Sequence, residues 1–279
     1  MPKMIKRFLR NPSAMVGIAI SVFVLLVALL APVLVLEDPT QIDFGKLSQK
    51  LEKPGVTTIL GRDNFGRDLY SRIVMGARVS LLVGTSAVAL GMIVGSLFGL
   101  LAGFFGGWFD EVIMRVTDIL YAFPAILLAL ALVAALGPSL SNLVFAISFV
   151  SIPGFARVMR SSAVTVRGSE MVEAARSSGV RTLRIIFKYV LPNAVTPTIV
   201  YAAISLASAL LTEAGLSFLG LGVQPPTPSW GGILAEGREF LRTAPYMTNF
   251  AGLAILITVV GFNLLGDGVR DVLDPRNAS

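Results

Sequence analysis

The sequence predicts an all-α membrane protein of six transmembrane helices, N-in and C-in, and three observations carry that prediction. Hydrophobic residues make up 54% of the chain and charged ones 14%, against roughly 25% charged in soluble domains. A soluble core does not absorb that much apolar surface, so lipid must solvate part of it. Apolar runs that approach the length of a bilayer-crossing helix recur six times along the chain. With the N-terminus inside, Lys and Arg are more frequent in the inner segments than in the outer ones, which sets the orientation.

Composition also excludes several classes. The chain has neither cysteine nor histidine, which removes disulfides, Cys/His metal sites and His-based relays or triads together. The net charge of +6 sits near span ends, where an anionic lipid surface explains it better than nucleic acid.

The first apolar run, Ala14 to Leu36, follows a basic tail with Lys3, Lys6, Arg7 and Arg10. Its length exceeds the ~7–15 residues of a signal-peptide core, so an uncleaved helix is expected. The further spans are Val79–Phe105, Ile119–Gly137, Leu140–Val158, Val195–Leu211 and Phe250–Leu265, the fourth and sixth being the shortest. The second carries a small residue at every fourth position: Ala87, Gly91, Gly95, Gly99, Gly103 and Gly107. In lipid this spacing lets two backbones approach closely. Tight packing through Gly91, Gly95, Gly99 and Gly103 is the plain reading, and a hinge or gating face is the alternative. Pro124, Pro153–Gly154 and Pro197 interrupt other spans, where neighbouring helices must satisfy the freed carbonyls.

The loop from Arg157 to Lys188 holds seven basic residues against Glu170 and Glu173. Ser169 suits an N-cap and Glu170 the first turn of a short helix. Met171, Ala174 and Ala175 share one face, and Gly179 supplies the left-handed residue of a helix end. A second segment, Thr182 to Val190, is expected to be closed by Pro192. The product is a helix–bend–helix hook with a small, flat tip. Arg181, Arg184 and Lys188 share a face that would suit anionic headgroups, so a hook lying on lipid is one reading.

The order of residues points elsewhere. Glu173-Ala174-Ala175-x3-Gly179-x9-Tyr189-x-Leu191-Pro192 resembles the EAA loop of ABC importer permeases, with Tyr189 in place of the usual Ile. The segments 60–68, Ser71-Arg72 and 76–81, the stretch 217–231, and Arg10-Asn11-Pro12 look like the dipeptide/oligopeptide/nickel branch, and within it the smaller C-type subunit. That branch usually has Thr where Arg62 stands. The resemblance implies a type I permease bundle in a prokaryotic plasma (inner) membrane. It implies four partners: a second homologous permease, two cytoplasmic ATPases and an extracytoplasmic solute-binding protein. Glu173, Ala174, Ala175, Gly179, Leu191 and Pro192 would then form the coupling element seated in an ATPase subunit. The solute would be a di- or oligopeptide or a related small molecule.

Nothing in the chain suggests chemistry of its own. The one Gly-Lys pair, Gly45–Lys46, lacks the rest of a phosphate-binding loop, and no Gly-x-Ser-x-Gly occurs. No enzyme activity, cofactor or metal is therefore expected in this chain, and the resemblance puts ATP and Mg on the partner ATPases. A stand-alone secondary transporter or channel is the competing class. It predicts internal repeats or midplane ionisable groups, which are not evident. Of the remaining charges, Arg115, Asp118 and Glu213 lie near predicted span ends, where interfacial pairing or snorkelling is expected. The Gly-Arg-Asp repeats at 61–63 and 66–68 suit either a docking surface or internal pairing. Trp230 is expected at the membrane interface. The chain divides into residues 1–75 (tail, first helix, outer loop), a five-helix core over 76–270 with the EAA loop at about 160–192, and a tail at 271–279.

Overall fold

A computed structural model describes residues 11–273; the basic tail at Lys3–Arg10 lies outside the described residues. Among the described residues every regular element is helical, and the one extended pairing is a single bridge between Arg62 and Asp68. Helix α1 (Pro12–Leu34) starts where the Asn11 side chain accepts the N–H groups of Ser13 and Ala14 at 3.1 and 3.3 Å. Pro12 opens the helix, where no N–H is needed. The Asn11-Pro12 pair is thus a local start signal.

Helix α2 (Leu69–Phe105) has 37 residues, about 55 Å at the helical rise and well beyond the ~30 Å hydrocarbon core. It starts at Leu69 rather than Val79, because Asp68 caps it by accepting the Ser71 N–H at 2.8 Å. The division expected at 75/76 therefore falls inside a helix. The last division does too, since α10 (Tyr246–Leu273) runs past 271.

The third span is bent. Helices α3 (Gly107–Tyr121) and α4 (Ala125–Leu136) meet at 88°, so the straight crossing expected from Ile119 to Gly137 is replaced by two arms. Pro124 is the cause: it lacks an N–H and steers Phe123 away from helical geometry. Helix α3 exposes Trp108, Val112, Val116 and Ile119 and pairs Asp110 with Arg160 of the helix that follows α4 at 2.5 Å. Among the described residues five helices are long and apolar enough to cross a membrane, and six when the bent pair is counted as one span.

Helix α5 (Leu140–Arg167) is capped by Ser139 and contains Pro153. After the hook, α8 (Leu191–Phe218) returns through the membrane, the short α9 (Trp230–Gly237) lies in the outer loop, and α10 ends the fold. The interior has two adjoining apolar clusters. One joins α2, α4, α5 and α8 through residues such as Val83, Val133, Leu143 and Phe155. The other joins α1, α2, α8 and α10 through Val24, Leu81, Leu210 and Phe262. Trp230 belongs to the second: it is buried, and its indole N–H donates to the Ile73 carbonyl at 3.0 Å. It packs helix against helix instead of facing the interface, because α9 is tucked onto α8 and α10.

The orientation has a direct test. Lys50 and Ser178 are both exposed, and a chain without cysteine makes single-Cys labelling clean. Lys50→Cys should react with an impermeant thiol reagent on intact cells, and Ser178→Cys only after permeabilisation. Labelling of Ser178→Cys on intact cells would reverse the topology.

Candidate functional site

The hook is short helix, glycine bend, helix. Helix α6 (Glu170–Ser177) ends with Gly179 at φ +71°. Gly179 N–H bonds to the Arg176 carbonyl at 2.9 Å and Val180 N–H to the Ala175 carbonyl at 3.1 Å. That pair of bonds is a Schellman end, and the left-handed residue it needs is cheap only for glycine. Ser169 occupies the N-cap position, but its hydroxyl donates back to the Val166 carbonyl at 2.7 Å and does not cap α6.

Burial sorts the residues of the hook. Val172 and Ala175 point inward, onto a cluster with Leu100 and Phe104 of α2, Met159 and Ala163 of α5, and Ile185, Ile186 and Val190. Met171, Glu173, Ala174, Ser178 and Gly179 are exposed. Ala175 thus turns away from the face that Met171 and Ala174 present. The guanidinium of Arg176 stands 5.4 Å from the Phe104 ring, adding a cation–π contact to the brace.

Beyond the bend, α7 (Thr182–Ile185) opens into a wider turn over Ile186–Val190, where the Leu191 N–H reaches back five residues to the Ile186 carbonyl. The chain then continues into α8 without a stop. The closure expected at Pro192 does not occur. Pro192 sits in the first turn of α8, where its missing N–H is tolerated, and the widened turn absorbs the mismatch. Leu191 and Pro192 are therefore the link between hook and membrane span.

Directly behind the hook, α2 and α5 make the most extensive helix contact of the fold. A β-carbon built on Gly91 would lie 3.0 Å from Ser151 Cβ. On Gly95 it would be 2.5 Å from the Ile152 carbonyl, and on Gly103 2.7 Å from the Arg160 carbonyl. At Gly99 it would collide with the Ala156 backbone itself. Gly107 leaves this face; it has φ +56° and starts α3.

On the outer side the Gly-Arg-Asp repeats pair internally. Asp63 is fully buried between Arg67 (2.7 Å) and Arg72, and both arginines reach Glu236 of α9 at 3.1 and 2.9 Å. Arg62 forms a fork on Glu37 with both contacts at 2.9 Å, and holds that carboxyl down to about 2. The loop thereby ties the outer ends of α1, α2 and α9 together. Of the three lone charges, Asp118 pairs with Arg157 at 2.6 Å and Arg115 approaches Glu111 at 3.9 Å. Glu213 is the exception. It does not snorkel but is 1% exposed, and accepts the Ser217 hydroxyl at 2.7 Å. Its i, i+4 spacing from Ser217 was the available signal; the neighbouring Ser229, brought by α9, was not readable from spacing.

Residues 95–279 match the family of binding-protein-dependent transport system inner membrane components. The chain belongs to this family. Residues 3–54 also match the N-terminal transmembrane domain of oligopeptide transport permease C. Relatives include the dipeptide transport system permease DppC of Alkalihalophilus pseudofirmus, 44% identical over 274 residues (98% of this chain, 89% of the relative). The glutathione transport system permease GsiD of Pectobacterium atrosepticum is 44% identical over 275 residues (97% and 89%). The di/tripeptide permease DppC of Pseudomonas aeruginosa is 45% identical over 272 residues (96% and 90%). A chain of the inward-facing MetNI methionine ABC transporter shares the fold, with TM-score 0.59 and 20% identity, over 73% of this chain and 97% of that one. This family member is a multi-pass inner-membrane permease.

Proposed function

We propose that the chain is one of two permease subunits of an ATP-driven, binding-protein-dependent importer of di- or oligopeptides or a related small solute. Two cytoplasmic ATPases and an external solute-binding protein complete the assembly, and ATP and Mg are bound by the ATPases alone. The solute path runs between the two permeases and alternates in access. The observation that carries this reading is a hook exposed on one side and braced on the other. Glu173 and Ala174 face outward on a tip fixed by the Gly179 bend, while Val172 and Ala175 anchor the same helix on α2 and α5. Small residues permit close docking, and Glu173 offers a carboxylate to a basic or N–H-rich cleft. Leu191 and Pro192 pass displacement of the tip into α8.

Reconstitution tests the reading. The purified subunit alone should neither hydrolyse ATP nor concentrate a peptide in liposomes, and adding the second permease, the ATPases and the binding protein should give ATP-dependent uptake of a labelled dipeptide. Uphill transport by this chain alone under an ion gradient would overturn it in favour of a secondary transporter.

A further inference from the structure

Helices α5, α8 and α10 enclose an open cleft of about 590 Å³ on the inner half of the molecule. One face of α8 supplies Asn193, Thr196, Val200 and Tyr201; Val158 comes from α5 and Arg270 from the inner end of α10. Asn193 and Thr196 are exposed and Tyr201 is half-buried. Arginine, asparagine, threonine and tyrosine gathered on one cleft suit a surface that faces protein or a water-filled cavity better than one that faces hydrocarbon. The volume lies within the ~300–1,000 Å³ typical of small-molecule sites.

The lining is built rather than incidental. The Tyr201 ring stands edge-on to Phe155 at 4.9 Å between centroids. Its hydroxyl rests over Gly154, at a place where any β-carbon would collide with it. Asn193 donates its amide nitrogen to the Tyr189 carbonyl at 2.7 Å, which leaves its oxygen to accept from a ligand. Among the described residues that line the cleft, Arg270 is the single charged side chain. The site therefore offers one exposed cation, uncharged donors and acceptors, and aliphatic walls.

We infer that this cleft binds a short peptide in transit, with Arg270 holding its terminal carboxylate and Asn193, Thr196 and Tyr201 meeting its amide groups. The inference rests on the peptide-importer reading above, and the solutes named for the relatives all end in a carboxylate. A guanidinium pairs with such a group through charge-assisted hydrogen bonds that a neutral amide terminus cannot replace. Because Asn193 follows the Leu191–Pro192 link directly, movement of the hook reaches the wall of the site through two residues of helix.

The test uses the whole complex in nanodiscs without nucleotide, with radiolabelled dialanine and its C-terminal amide as probes. Wild type should bind the free acid roughly tenfold more tightly than the amide, the difference expected for one charge-assisted hydrogen bond. Arg270→Gln should abolish that preference, and Arg270→Lys should restore part of it, with subunit levels checked by blot. Equal binding of acid and amide by wild type overturns the inference without need of any variant, as does an undiminished preference in Arg270→Gln. Nanodiscs of phosphatidylcholine alone and with phosphatidylglycerol separate the other source of anionic oxygen. If Arg270 retains phosphatidylglycerol but no dialanine binds in either, the site is a lipid headgroup site and the inference fails. Uptake with the binding protein is measured in parallel on wild type. No uptake of any di- or tripeptide would sink the short-peptide reading of the solute, and this site with it, whereas uptake without acid preference in the cleft sinks only this site.

Discussion

Gly99→Leu should reduce the folded subunit in the membrane at least tenfold. A β-carbon at this position meets the carbonyl carbon and Cα of Ala156 at 2.9 and 3.0 Å and its carbonyl oxygen closer still. These are backbone atoms of α5 and cannot rotate away. Overpacking against movable side chains costs about 1–3 kcal/mol, and here the helices themselves must separate. Each 1.4 kcal/mol is about a factor of ten in population. Separation would also strip the brace beneath the hook, because Leu100 and Phe104 of the same helix carry Val172 and Ala175. Gly99→Ala should show a smaller loss in the same direction. Gly215→Ala, which would meet only the end of Ile126 at 3.4 Å, should stay near the wild-type level. Membrane-fraction blots and thermal unfolding in detergent decide the matter. A wild-type amount and melting point for Gly99→Leu would show that α2 and α5 are not in close contact there.

Gly179→Val should do the opposite: spare the protein and remove its activity. Nothing lies within 4 Å of a β-carbon at Gly179, so the cost comes from φ +71° alone. A left-handed conformation costs an L-residue roughly 1–2 kcal/mol, and more when it is β-branched. That is enough to lower the population of the correctly bent tip by about tenfold, while no transmembrane helix loses a contact. Peptide uptake and solute-stimulated ATP hydrolysis by the assembled complex should fall by about that factor, with subunit levels unchanged. Gly179→Asn should retain more activity, since asparagine tolerates this conformation. Glu173→Lys should match Gly179→Val by placing the wrong charge on the exposed tip, although a hook that merely coats lipid would welcome it. Wild-type coupling in both Gly179→Val and Glu173→Lys would return the hook to the lipid-surface reading.

How much of this was legible depended on whether the signal was local. The four-residue glycine spacing showed that something packs closely on α2, but its partner, α5, is set by topology. The Gly179 bend was legible because a Schellman end is written in one glycine and its flanking residues. Pro192 misled for a related reason: proline usually stops a helix, and only the widened turn at Ile186–Val190 lets this one continue. Hydropathy located the apolar middle of each span and missed its ends. Leu69–Arg78 is helical yet carries the buried Arg72, whose charge is paired with Asp63 and with Glu236, which lies far along the chain. Glu213 and Trp230 were misplaced because α9 and its N-cap Ser229 fold back onto α2 and α8, which buries Trp230 against α2 and brings Ser229 to the Ser217 that Glu213 binds. The cleft at Arg270 was invisible, since its lining comes from three helices that only the fold brings together.

The continuous run from Thr182 through Phe218 has a mechanical consequence. Its 37 residues form a shaft about 55 Å long at the helical rise, and stiffness along it is uneven. Pro192 and Pro197 each remove a backbone hydrogen bond, and both lie in the half nearest the hook, on the membrane side of the wide turn at Ile186–Val190. Beyond Tyr201 no further proline interrupts the ladder. On the proposed coupling role, a push delivered at Glu173–Ala174 would be spent mostly as bending over Ile186–Pro197, where compliance is concentrated, and only its remainder would reach the outer end as tilt. Such a shaft behaves as a hinge with a long rigid arm, so the inner cleft would deform at an early stage of the stroke and the outer rim, held by Asp63, Arg72 and Glu236, at a late one.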